Sequence, residues 1–101
     1  MNERDQRILA VIRSLHAGEV STYGDIAEDA GYPKLSRLVG RLLATSRDAD
    51  LPWWRVVNCQ GRLVPGHERV QAAQLRREGV VVRDGRVRCA GSGRFASRAP
   101  E

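Results

Sequence analysis

Residues 20–45, VSTYGDIAEDAGYPKLSRLVGRLLAT, carry the signals for two helices joined by a short glycine-containing turn. Ser21 or Thr22 can cap a first helix over about residues 23–30, because a hydroxyl there accepts a hydrogen bond from a free backbone amide. A glycine and a proline then interrupt the chain, and a second helix is predicted over about residues 34–45. This order is typical of a helix-turn-helix.

The outward face of the second predicted helix is basic. Lys34, Arg37 and Arg41 recur at i, i+3 and i+7, with the small residues Gly40 and Ala44 beside them. Arginine and lysine neutralise phosphates, and small residues allow another backbone to approach closely. On the second helix of a helix-turn-helix this pattern favours DNA contact, with a solvated charged face as the alternative reading.

Two further helices are predicted on either side of this motif. Residues 3–16 place apolar side chains at helical spacing with charged residues opposite, and Gly18 follows as a helix-ending glycine. Residues 68–78 form the other helix, which Gly79 closes. The chain therefore contains four predicted helices.

Short strands are predicted in the second half of the chain. Residues 55–58 and 62–64 read as two strands around a Gln-Gly turn. Residues 80–82 and 86–89 read as a hairpin around an Asp-Gly pair, which is a strong turn signal. The predicted fold class is mainly α with a small β-hairpin, a winged-helix-like helix-turn-helix domain.

The predicted domain covers residues 1–89. Residues 90–101, AGSGRFASRAPE, offer little to bury and predict a flexible basic tail. A chain of 101 residues has room for one modest core and not for a second.

Composition narrows the class of partner and the compartment. The chain has a formal charge of +5, and all but one of its 17 basic residues are arginine. This balance suits nucleic acid, although a GC-rich genome would also favour arginine codons. The two cysteines form no zinc-binding pattern, and no metal or cofactor is expected. We find no apolar run of signal or membrane length, and we expect a cytoplasmic protein with reduced thiols.

Residues 51–58, LPWWRVVN, place two adjacent tryptophans in a chain that has only five aromatic residues. A buried tryptophan needs a hydrogen-bond partner for its indole N–H, so the pair calls for an explanation. The segments VSTYGDIAEDAGYP, SRLVG, LPWWRVVN and REGV, in this order, strongly resemble the DNA-binding, active-site domain of the O6-alkylguanine-DNA alkyltransferases. The resemblance extends over roughly residues 3–82.

The resemblance fails at the reacting residues. The Pro-Cys-His-Arg-Val motif of those repair proteins reads Pro52-Trp53-Trp54-Arg55-Val56 here. Tryptophan at the cysteine position is similar to the alkyltransferase-like proteins, and Trp54 in place of histidine departs even from their common pattern. Alkyl transfer needs a thiolate and usually a neighbouring base, and indole supplies neither. We therefore expect no enzyme activity.

The resemblance also implies roles for individual residues on the DNA. Arg37 would enter the base stack and fill the space of a flipped nucleotide, and Tyr23 would press on the backbone phosphate. Lys34, Gly40 and Arg41 would complete the DNA-binding face in the minor groove.

A lesion pocket is expected around the two tryptophans. Trp53 would form a wall of this pocket, and Trp54 would pack behind it. Arg55 would brace the loop. Glu78 matches a glutamate that orients the missing histidine, and it is expected to keep a structural role. The full set expected at the pocket is Pro52, Trp53, Trp54, Arg55, Val56 and Arg69.

A loop over residues 64–69 is expected beside the flipped base. Alkyltransferase-like proteins often carry an arginine in this loop, where Gly66 or His67 stands here, with Arg62 and Arg69 nearby. Which residue substitutes is left open at this point.

The expected function is a non-enzymatic sensor of O6-alkylguanine in double-stranded DNA. By resemblance it would be a bacterial, nucleoid-associated monomer that passes the lesion to nucleotide excision repair through a UvrA-type partner. A winged-helix transcription regulator is one alternative. A residual alkyltransferase using Cys59 is another, although an isolated cysteine beside a strand is usually a small buried residue.

Overall fold

The computed structural model describes residues 2–96. Four helices, α1 to α4, alternate with five short strands, β1 to β5, and a 3-10 turn precedes β2. In chain order the elements are α1 (Glu3–Arg13), β1 (Glu19–Thr22), α2 (Tyr23–Asp29), α3 (Ser36–Thr45), the 3-10 turn (Trp53–Arg55), β2 (Val56–Val57), α4 (Glu68–Arg77), β3 (Val81–Arg83), β4 (Arg86–Cys89) and β5 (Ser92–Gly93). The predicted class, mainly α with small strands around a helix-turn-helix, is confirmed.

The start of α2 follows the predicted capping. Thr22 is the residue that caps the helix: its Oγ1 accepts a hydrogen bond of 3.0 Å from the amide of Asp25. This satisfies one of the free amides of the first turn. Of the two candidates that the sequence offered, the structure therefore selects the second.

The prediction that α3 begins at Lys34 is wrong by two residues. Lys34 lies in the turn before the helix, with φ of 86°, and α3 begins at Ser36. The preceding proline supports this, since it starts the turn and cannot donate a backbone hydrogen bond. Lys34 therefore belongs to the turn and does not share the helical face of Arg37 and Arg41.

The helices enclose the first of two apolar clusters, whereas the length of the chain predicted a single core. The stripe predicted for α1 is buried, with Ile8 and Ile12 fully inaccessible to solvent. From α3, Val39 is fully buried, and Leu38 and Leu42 pack against the cluster. The helix-turn-helix is thus held on α1 by a continuous apolar contact, which fixes the orientation of its outer face.

The strands build the second cluster, and their pairing differs from the prediction. β1 lies between β2 and β5 and is parallel to both, with Ser21 opposite Val56 and Glu19 opposite Ser92. The predicted strand at 62–64 is absent as a strand, because Arg62 makes only a single bridge to β4. The β3–β4 hairpin forms around its Asp-Gly turn as predicted.

The segment after residue 89 also differs from the prediction over its described part. β5 pairs with β1, and Phe95 packs against the second cluster. Arg94 forms a two-pronged ion pair with Asp25 at 2.7 and 2.8 Å, which ties the segment to the start of α2. Residues 97–101 of the predicted tail lie outside the described residues.

Close packing explains the glycine in β5. Gly93 has φ of 87°, and a Cβ there would lie 2.6 Å from the carbonyl oxygen of Val20. Such an approach is possible only without a side chain. In the described part of the chain, no helix is long and apolar enough to cross a membrane, and no group of three metal-ligating side chains gathers.

Phe95→Ala tests whether the segment after β4 belongs to the domain. We expect a loss of about 2 kcal/mol in the free energy of unfolding, less than for a fully buried phenylalanine because this ring is only partly buried. Chemical unfolding measures it. Val70→Ala is the control, since Val70 is 56% exposed and should change stability little. Equal stability of wild type and Phe95→Ala would contradict the packing described here.

Candidate nucleic-acid interface

An apolar cavity opens beside the helix-turn-helix. Its volume is about 360 Å³, within the range of small-molecule sites. It lies between α2 and α3 on one side and the 3-10 turn with the chain before α4 on the other. The lining residues are Tyr23, Gly40, Leu43, Ala44, Trp53, Val64 and His67.

Trp53 forms the wall opposite the helices, and two other rings contact it. The ring of Trp54 lies at a centroid distance of 6.3 Å with an interplanar angle of 88°. The ring of His67 lies at 5.9 Å and 67°. Both are edge-to-face arrangements, which aromatic pairs prefer. The Trp53 indole is therefore bounded by rings from two different segments of the chain.

The local backbone explains how Trp53 reaches this position. Leu51 and Pro52 are buried and anchor the start of the turn. The amide of Trp53 donates to the carbonyl of Leu51 at 2.7 Å, and the amide of Arg55 donates to that of Pro52 at 3.1 Å. These tight bonds wind the chain once before it enters β2, so adjacent tryptophans leave it in different directions.

Trp54 points to Glu78, at the end of α4. Its indole N–H donates to Oε2 of Glu78 at 2.9 Å. The same carboxylate accepts from Nη2 and Nε of Arg55, at 2.7 and 3.0 Å, and from the amide of Gly18 at 3.0 Å. Arg55 also donates to the carbonyl of Leu15 at 2.9 Å. The structural role expected for Glu78 is thus to join three segments, and Trp54 takes up the bond that a histidine could have made.

The electrostatics of this cluster favour a charged glutamate. Burial by itself opposes ionisation of Glu78, but the hydrogen bonds from Arg55, Gly18 and Trp54 outweigh it, so the pKa of Glu78 is lowered from its ordinary value. The Arg55 guanidinium lies 5.2 Å from the centre of the Trp54 ring, which adds a cation–π contact. The Arg55 and Glu78 side chains are 15% and 13% exposed, so water screens the attraction between their charges only weakly.

The cations predicted to contact DNA are exposed. Arg37 and Arg41 project from α3, and neither forms an ion pair with any described residue. Tyr23 is half-buried at the start of α2, and burial raises the pKa of its hydroxyl. A Cβ on Gly40 would lie 3.8 Å from Cε1 of Tyr23, an ordinary contact. Packing within the chain therefore does not require glycine there.

The structure places most of the predicted pocket residues away from the cavity. Of the predicted set, Trp53 lines it. Pro52 and Val56 are buried in the scaffold, Arg55 is paired with Glu78, and Arg69 is exposed on α4.

The contacts of Arg55 agree with the bracing role expected for it, and Val64 and His67 are further lining residues of the cavity. These two were not predicted as lining residues, although the loop that carries them was placed beside the flipped base. His67 stands at one of the two loop positions expected beside the flipped base, but its ring contact with Trp53 could not be found from the sequence.

Cys59 lies at a different place from Trp53. It is exposed and lines a second cleft with Lys34, Ser36 and Arg94 on the other side of Tyr23. Among the residues that line the cavity there is no cysteine. The geometry gives no support to Cys59 as a replacement nucleophile for a base held against Trp53.

Comparison with known proteins identifies the fold and its family. The model of the family described as "6-O-methylguanine DNA methyltransferase, DNA binding domain" matches residues 3–80. A protein of Escherichia coli named "DNA base-flipping protein" is 40% identical over 76% of this chain and 62% of its own length. A protein of the same name from Vibrio parahaemolyticus is 48% identical over 56% and 58% of the two chains. The chain therefore spans about three fifths of the length of these bacterial relatives.

Solved structures of similar fold support the same family. The alkyltransferase-like protein 1 of Schizosaccharomyces pombe, in complex with damaged DNA containing O6-carboxymethylguanine, superposes with a TM-score of 0.72. It is 31% identical, and the match covers 80% of each chain. A Mycobacterium tuberculosis methyltransferase in complex with DNA matches 77% of this chain and 50% of its own, with a TM-score of 0.68 and 28% identity. The chain belongs to the family of 6-O-methylguanine DNA methyltransferase DNA-binding domains.

Glu78→Gln tests the cluster behind Trp53. We expect a loss of about 3 kcal/mol in the free energy of unfolding at pH 7, because Arg55 loses its charged partner in a poorly hydrated site. Since the pKa of Glu78 is lowered on folding, its contribution is present above about pH 4.5, the ordinary value, and is lost as the pH falls through the folded pKa. The difference between wild type and variant should therefore shrink in acid.

Urea unfolding at pH 7 and at pH 3 measures this difference. Glu28→Gln, at an exposed position on α2, is the control and should change little at either pH. A stability difference for Glu78→Gln that is the same at both pH values would contradict the proposed ion pair.

Proposed function

We propose that this protein is a non-enzymatic sensor that binds O6-alkylguanine in duplex DNA. The helix-turn-helix docks in the minor groove, and the alkylated base rotates out of the stack into the cavity beside Trp53. The observation that carries the proposal is the cavity itself, which lies between the helix-turn-helix and an indole in contact with the rings of Trp54 and His67.

The chemistry of the cavity suits a flipped, alkylated purine. Extruding a base costs a few kcal/mol, and less when the base is damaged and poorly paired. Contact with aromatic side chains returns about 1–3 kcal/mol for each base. Leu43, Val64 and Trp53 offer apolar surface to an alkyl group of variable size. Guanine without the alkyl group pairs better in the duplex and gains less from such a wall.

Arg37 is assigned to the space that the base leaves. It projects from α3 without an ion-pair partner among the described residues, so its guanidinium is available to enter the base stack of the DNA duplex. A planar cation can stack on neighbouring bases and hydrogen-bond at the same time. Tyr23, at the junction of the helices and the cavity, is assigned to the rotating phosphate, and Lys34 and Arg41 to the flanking backbone.

The absence of alkyl transfer follows from Trp53 and Trp54. Neither indole can act as a nucleophile or as a general base. Glu78, which could orient a base, is engaged by Trp54 and Arg55. The names of relatives support this assignment: three are named DNA base-flipping protein and one is named alkyltransferase-like protein 1.

The fate of the bound lesion is also proposed. A sensor that cannot repair must pass the lesion on, and we propose that it recruits nucleotide excision repair through a UvrA-type protein. We further propose that it acts as a monomer in the bacterial cytoplasm, associated with the nucleoid while bound. These points rest on the resemblance in sequence.

Titration against two matched duplexes tests the function. One duplex carries a single O6-methylguanine and the other is unmodified, at one fixed salt concentration because phosphate contacts make affinity salt-dependent. We expect a clear preference for the lesion and an unchanged protein mass afterwards. Equal affinity would contradict the proposal and would favour the winged-helix transcription regulator, for which sequence-selected sites are the next probe.

Arg37→Ala tests the residue assigned to the vacated space. We expect the affinity for the lesion duplex to fall by about tenfold or more, since the flipped state loses the group that replaces the base. Arg77→Ala removes the same charge from the exposed face of α4 and is the control. If both variants weaken binding equally, Arg37 contributes only charge and the assignment fails.

Trp53→Cys tests the claim that the site has lost more than its nucleophile. We expect this variant to gain no mass after mixing with O6-methylguanine DNA, because position 54 still supplies no base. The double variant Trp53→Cys with Trp54→His adds a base within reach of Glu78 and is the informative comparison. Intact-mass spectrometry reads both. Alkylation of the single variant would show that a thiol alone suffices and would refute the argument from Trp54.

A further inference from the structure

Gln71 is a fully buried polar side chain on α4, with 0% of its surface exposed. Its Nε2 donates to the carbonyls of Trp54 and Val56, at 3.1 and 3.0 Å. Its Oε1 accepts from the amide of Val64 at 2.7 Å. Both donor hydrogens and the acceptor are therefore used, and every partner is backbone.

These partners belong to the two segments that together form the side of the cavity opposite α2 and α3. Trp54 directly follows Trp53, the wall on one side. Val64 lines the cavity itself, and so does His67, which is three residues further along the chain. The backbone amide of Gln71 also donates to the carbonyl of His67 at 3.0 Å, but this is the helical i→i−4 bond that any residue at position 71 would make, and the role of the side chain rests on its bonds to Trp54, Val56 and Val64. One residue thus holds both the segment that carries Trp53 and the segment that carries His67.

Packing alone does not call for glutamine at this position. The neighbours of Gln71 on the buried face of α4 are Ala72 and Leu75, which belong to the second apolar cluster. An apolar residue in place of Gln71 would leave one amide and two carbonyls without this partner in the interior, which is costly. The amide side chain acts as a peptide group inserted between two chain segments that do not pair with each other as strands.

We propose that Gln71 is a positioning residue that fixes the distance between Trp53 and the Val64–His67 wall, and thereby sets the preference for alkylated over unmodified DNA. The second half of this inference rests on the proposed function. The first half concerns the free protein and stands or falls without DNA.

Gln71→Leu tests both halves, because leucine fills similar space and makes none of the three bonds. In the free protein we expect loss of the nuclear Overhauser contact between the Trp53 and His67 rings. On DNA, the ratio of affinities for O6-methylguanine and unmodified duplexes should fall by about tenfold, while affinity for the unmodified duplex stays within about twofold. The control is Leu75→Val, a buried change on the same helix that leaves the hydrogen bonds of Gln71 intact.

The outcomes separate the two claims. An intact ring contact and an unchanged affinity ratio in folded Gln71→Leu would overturn the positioning role. Loss of the ring contact in a protein whose wild type shows no lesion preference would support the positioning role and refute the proposed function. A loss of selectivity that Leu75→Val reproduces at equal stability would show a merely structural effect and would also overturn the proposal.

Wild-type protein offers a measurement that does not depend on folding of a variant. Hydrogen exchange at the Val64 amide should be slow in the free protein, because Gln71 accepts this hydrogen. Binding of the O6-methylguanine duplex should slow it further than binding of the unmodified duplex does. Fast exchange in the free protein would contradict the hydrogen bond, and equal exchange in the two complexes would contradict its link to selectivity.

Discussion

The rest of the structure depends on the hydrogen bonds that the carboxylate of Glu78 accepts. It accepts hydrogen bonds from Trp54, Arg55 and the amide of Gly18, and so joins the end of α4 to the 3-10 turn and to the chain between α1 and β1. These segments are distant in sequence. A charged group at 13% exposure is stable only when its partners are all in place, so the cluster specifies one arrangement.

Trp54 connects the Glu78 cluster to the cavity, because it is bonded to Glu78 and contacts Trp53. The Trp54 indole is hydrogen-bonded to Glu78 and makes an edge-to-face contact with Trp53, and His67 bounds Trp53 from another side. A protein that recognises a base through contact and not through chemistry needs a wall that is already in position before the base arrives. The two tryptophans therefore have different roles. Trp54 belongs to the scaffold, and Trp53 forms the surface that we assign to the lesion.

Local signals in the sequence predicted much of the fold. A cap at Ser21 or Thr22, the apolar stripe of α1 and the hairpin turn at Asp84 each depend on residues within a few positions of one another, and each was confirmed, with Thr22 as the cap. β1 and β5 were missed because no hairpin turn marks them, whereas the Asp-Gly turn marks the equally short β3 and β4. They exist through parallel pairing with chain far away in sequence, which local reasoning cannot see.

The candidate site was predictable in part for the same reason. The resemblance placed Trp53, and the cavity lies against it. It also implied that Arg55 braces the loop, but it did not show that the partners of Arg55 are Glu78 and the carbonyl of Leu15. The contacts of His67 and Gln71 depend on how α4 packs against the 3-10 turn. A single sequence does not show that a histidine will contact Trp53 or that a glutamine will bond to buried backbone groups.

The central claim is that Trp53 meets the alkylated base while Trp54 stays in the scaffold. Fluorine NMR of protein labelled with fluorotryptophan tests it directly, with a Trp54→Phe sample to assign the two signals. The account predicts that the O6-methylguanine duplex shifts the Trp53 signal and leaves that of Trp54 nearly unchanged, and that the unmodified duplex shifts neither comparably. A saturated complex with the lesion duplex in which the Trp53 signal does not move would contradict the account.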